Sequence, residues 1–140
     1  MNPSSRASRH DEADAIPALL ATTHQTLDDV LTVLFDHAGQ AGHLIAPFMV
    51  AAGAAADGRD AAAAAPSLPA NTGHQPGPQR LAPEGASPAD IADALAEVTR
   101  VLTAQLASAV NTASDPRDRA ALATARRCAE TVHSCLEGTS

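Results

Sequence analysis

The sequence predicts an all-α protein, an antiparallel four-helix bundle made of two helical hairpins joined by a long Pro/Gly/Ala-rich crossover. Three observations carry that prediction. Ser87-Pro88-Ala89-Asp90 and Asp115-Pro116-Arg117-Asp118 repeat one helix-start pattern, with a capping residue, proline at the first helical position and a carboxylate at the third. Proline's missing N–H would be unpaired there in any case, and the carboxylate meets the positive end of the helix dipole. Apolar residues recur at three- and four-residue intervals through four segments. Finally, the chain has no Trp or Tyr and only Phe35 and Phe48 as aromatics, so its interior has to be built from Leu, Val and Ala. Such residues suit contacts between helices better than between sheets.

The elements follow in order. Residues 1–13 are polar and of mixed charge, and read as a disordered N-terminal segment without the apolar stretch of a secretory signal. Asp14-Ala15-Ile16-Pro17 is a looser helix start. From it Ile16, Leu20, Leu27, Val30, Leu31, Leu34 and Phe35 form one stripe, which predicts a helix over about 16–38. Gly39 and Gly42 read as a break, in preference to one long kinked helix. Leu44, Ile45, Phe48, Met49 and Ala52 then resume a helical face over about 44–57, with Pro47 in its first turn. The prolines, the alanine run and the turn residues that follow read as a flexible crossover over about 58–87. A third helix over 88–112 carries Ile91, Leu95, Val98, Val101, Leu102, Leu106 and Ala109 on one face. After a turn at 111–115, a fourth helix over 116–137 carries Ala121, Ala125, Cys128, Val132, Cys135 and Leu136. Residues 14–140 thus make a single helical domain, whose four stripes are buried most simply in an antiparallel bundle.

The core of that bundle is thin. Leu, Ile, Val and Phe together number 25 of 140 residues, so the balance leans towards assembly with a second copy, as a dimer, or with a protein partner. The net charge of −7 disfavours nucleic acid and anionic membrane surfaces, because such binding is driven by cationic groups. All nine basic residues are arginine, a usage that accompanies the alanine excess and is poor evidence of phosphate recognition. The most apolar run, Leu44 to Ala56, is too short to cross a bilayer, and the expected location is cytoplasmic.

Chemistry is sparse. Glu130-Thr131-Val132-His133 matches the Glu-x-x-His motif with which ferritin-like carboxylate proteins hold paired metal ions inside a four-helix bundle. That site needs two such motifs and a Glu from each of two further helices, whereas only Glu97 and Glu130 lie deep within predicted helices. His24 and Asp28, at i and i+4, share one side of the first helix and supply a possible second pair. The alternative function is therefore a metal- or small-ligand-binding bundle with an incomplete site of His24, Asp28, Glu130 and His133. Cys128 and Cys135 stand one heptad apart, about 10.5 Å along the axis, so they cannot bridge each other. They read as buried cysteines, or as thiols meeting across a twofold dimer axis. No phosphate-binding glycine loop, nucleophile elbow or Ser/His/Asp spacing is present, and no cofactor is expected. The main reading is a non-enzymatic helical module for protein interaction or self-assembly.

Overall fold

The structure, a computed structural model, describes residues 3–68 and 85–137, with the backbone alone for 3–14. It is an all-α bundle of two hairpins: α1 (Pro3–Ala38) with α2 (Ile45–Ala63), and α3 (Pro88–Thr112) with α4 (Pro116–Glu137). The last two helices have the predicted bounds, and the reason lies in their caps. Ser87 is extended, with φ −70° and ψ 160°, and its Oγ accepts the Asp90 N–H at 3.1 Å. The Asp115 carboxylate accepts the Arg117 N–H at 2.8 Å, and this contact holds its carboxyl below the usual range. Pro88 and Pro116 take the first helical positions.

The break between α1 and α2 lies where the glycines put it. Gly42 has φ +59°, a conformation that favours glycine, and opens a single 3-10 turn (Gly42–Leu44). Buried Ala41 and Leu44 pin that turn to the core.

Two boundaries need correction. Helical backbone begins at Pro3 rather than at 16 and takes in most of the segment read as disordered; residues 1–2 lie outside the described residues. Residues 4–15 contain no glycine and several good helix formers, but they lack the apolar periodicity on which the sequence reading relied. At its other end, α2 continues past 57 to Ala63, so 58–63 are not crossover. The alanine run sustains the helix until Pro66, which disfavours helical backbone in the residue before it. Of the remaining crossover, residues 69–84 lie outside the described residues.

Helix packing sets the topology. α1 packs on α2, α2 on α4 and α4 on α3, whereas α1 meets α3 sparsely and α4 hardly at all. The order around the bundle is therefore α1, α2, α4, α3, with α1 diagonal to α4. Leu20, Leu27, Leu34, Phe48, Ile91, Leu95, Leu106, Leu122 and Leu136 are fully buried at the centre. Between α2 and α4 the buried residues are mostly small: Ala51, Ala55, Gly58 and Ala62 on one helix, Ala121, Ala125 and Ala129 on the other. Close approach of two helices requires such residues.

Asp118 ties the two hairpins together. It is 4% exposed, and its carboxylate accepts the Ser67 N–H at 3.1 Å and the Ser67 hydroxyl. The contact sets the end of α2 against the start of α4, so these helices run antiparallel. Asp118→Ala would leave the half-buried Ser67 donors unpaired at this junction and is expected to cost about 1–2 kcal/mol in urea unfolding. An unchanged midpoint would show that the junction contributes nothing.

Candidate functional site

The four residues of the alternative metal reading do not come together. His24 and Asp28 are on α1 and Glu130 and His133 on α4, the diagonal pair that scarcely touches. Three of them have other partners. Asp28 accepts Arg59 Nη1 of α2 at 3.0 Å, a contact that raises the Arg59 pKa. Glu130 pairs with Arg126 one turn back at 3.3 Å. His133 spans the second hairpin: Nδ1 donates to the Ala96 carbonyl of α3 at 2.9 Å, and Nε2 lies 2.9 Å from Glu137 Oε2. His24 differs, since its Nδ1 is buried without a hydrogen-bond partner, as is the Thr23 hydroxyl beside it. Among the described residues, no three His, Cys, Asp or Glu side chains gather where they could hold a metal ion.

The cysteines serve packing within the chain. Both are half-buried free thiols on α4. A Cβ added to Gly58 would come within 2.9 Å of Cys128 Cβ, which places Cys128 in the α2–α4 seam. Burial, helped by the Asp57 carboxylate, pushes its thiol above the ordinary range, so little nucleophilic thiolate forms at neutral pH. In a Cys135→Ser background, Ellman's reagent is expected to label native Cys128 much more slowly than the urea-unfolded chain. Equal rates would place the thiol in free solution. Cys135 packs against the edge of the core.

Among the described residues, uncovered apolar surface lies in two places. The first is the loose α1–α3 seam, a shallow groove of about 290 Å³ lined by Thr22 and Thr26 of α1 and Val98, Val101 and Leu102 of α3. At its rim, Arg100 holds Glu97 in a two-pronged contact at 2.6 and 2.9 Å, which keeps the Glu97 carboxyl below its usual range.

The second is the outer side of the first hairpin. Among the described residues five large hydrophobic side chains are substantially exposed, and four of them belong to it: Phe35 (55%), Ile45 (49%), Met49 (47%) and Val50 (57%); the fifth, Val101, lines the groove. This corrects the sequence reading, which put Phe35, Ile45 and Met49 on core stripes. At 100° per residue the buried face of α2 centres on Phe48, Ala51, Ala55 and Ala62, leaving Ile45 and Met49 at its edge and Ala46, Val50 and Gly53 outermost. The sequence does contain a signal for this surface. From Ile45 to Ala56 the helix is apolar on every side, a pattern expected of a helix covered on every side.

Compared with known protein families, curated proteins and solved structures, the chain has no significant match. No helix among the described residues is long and apolar enough to cross a membrane.

Proposed function

We propose that the chain is a non-enzymatic helical-bundle module whose work is protein interaction, in the first place self-assembly. The observation that supports this reading is the concentration of exposed large hydrophobic side chains on one hairpin. Contiguous apolar patches on a monomer's surface characteristically mark interaction sites, whereas single exposed residues do not. The thin core points the same way, because a covered α2 would add the burial that the isolated bundle lacks. The reading assigns no cofactor and no catalytic residue. It places the chain in the cytoplasm, where two free thiols are at home, and away from nucleic acid, which a net charge of −7 repels.

The metal-binding alternative loses its support with the dispersal of His24, Asp28, Glu130 and His133. Size-exclusion chromatography with light scattering, run across a concentration series, tests the interaction reading together with cross-linking in the native cell. A mass above the 14.1 kDa of one chain, or a specific cross-linked partner, is expected. A lone monomer in both experiments would overturn the reading.

A further inference from the structure

We propose that the occupant of the outer α2 face is α2 of a second copy, packed antiparallel about a twofold axis that passes between Ala51 and Ala52. This deepens the interaction reading and rests on it. The outermost positions of the helix, Ala46, Val50, Gly53, Asp57 and Asp60, recur at alternating intervals of four and three residues, the spacing of a helix-pairing seam. All five are exposed.

A twofold axis makes the contact self-complementary, so each residue meets its reflection through the midpoint. The reflection puts Val50 of one copy over Gly53 of the other, a knob over a hole. A Cβ built on Gly53 meets nothing within 4 Å, so the hole is empty in the single chain. The same reflection puts Ala46 beside Asp57 and brings exposed His43, on the 3-10 turn that leads into α2, level with Asp60. The Asp60 carboxylate, which Arg59 of its own helix approaches at 3.4 Å, can there accept an imidazole N–H as well.

The charge pattern decides the orientation. A parallel pairing would stack Asp57 on Asp57 and Asp60 on Asp60 in a molecule already at −7, whereas the antiparallel one separates the acidic halves by most of the helix. Phe35, Ile45 and Met49 lie at the margin of the seam on the α1 side, where they widen the apolar contact. The α1–α3 groove offers no comparable complementarity, since nothing in it prescribes the shape or charge of what would fill it.

Sedimentation velocity on the full chain and four variants tests the assignment. The wild type is expected to be dimeric. Gly53→Gln fills the hole and Val50→Asp removes the knob, and each should weaken dimerisation by roughly a hundredfold or more, since each change counts twice at a twofold interface. Helical circular dichroism should hold, because both side chains point to open surface in the monomer. His43→Asp should weaken the dimer by roughly tenfold, and the reciprocal pair His43→Asp/Asp60→His should restore it. A dimer indifferent to both Gly53→Gln and Val50→Asp overturns the α2 assignment and leaves self-assembly standing. A wild-type chain that stays monomeric while cross-linking to a different protein overturns the second-copy proposal and leaves the interaction reading standing.

Discussion

Phe48→Ala is expected to destabilise the folded chain by about 3–5 kcal/mol, the usual cost of deleting a buried aromatic side chain. Phe48 is 0% exposed and is the only buried aromatic residue in the described structure. Its neighbours on the buried face of α2 are Ala51, Ala52 and Ala55, which are too short to reach into the space it would vacate. Collapse of the site would have to come from whole-helix movement, which the Ser67–Asp118 junction resists. For a domain whose total stability is of the order of 5–15 kcal/mol, the loss is severe. Urea unfolding at fixed protein concentration measures it. A cost below about 1 kcal/mol would mean that the packing around Phe48 is plastic.

Gly58→Ala should also destabilise the protein, against the intrinsic preference of helices for alanine. Gly58 lies within α2 where α1 and α4 approach together: a Cβ there would come within 2.7 Å of Leu27 Cδ1 and 2.9 Å of Cys128 Cβ. The leucine methyl can rotate away. Cys128 Cβ is fixed to its backbone and can yield only if α4 moves. Overpacking of this kind costs about 1–3 kcal/mol, against a gain of about 0.8–1.0 from replacing an interior helical glycine. A net loss of up to about 2 kcal/mol is expected for Ala and a larger one for Val. A stabilised Gly58→Ala protein would show that the three helices are not closely packed at this level.

The fold was legible where local chemistry decides the outcome. Ser87 and Asp115 cap α3 and α4 as their sequences prescribe, and Gly42 supplies the one left-handed residue that the α1–α2 turn uses. Legibility failed where the outcome depends on neighbours. Alanine has no amphipathic signature, so periodicity could not show that α2 continues through 58–63, or that Ala51, Ala55 and Ala62 are buried. On α4 the buried face is displaced from the predicted stripe, away from the edge that carries Cys128 and Cys135 and towards Leu122 and Ala129, which are fully buried.

The residues of the alternative metal site lie apart for a related reason. Spacing along one helix fixes which residues share a side, but not which helix stands opposite, and the order α1, α2, α4, α3 puts His24 and His133 on diagonal helices. Phe35, Ile45 and Met49 are apolar and in phase with the core stripes, which is all that periodicity can register. They sit at the edge of their stripes and remain uncovered in the single chain.

That uncovered surface is the centre of the account, and a concentration series of amide nitrogen–proton spectra tests it most directly. Signals that shift or broaden as the protein is concentrated are expected to cluster on the outward positions between His43 and Asp60 and on Phe35, with α3 and α4 unchanged. Spectra independent of concentration from a protein of monomer mass, or changes confined to α3 and α4, would contradict it.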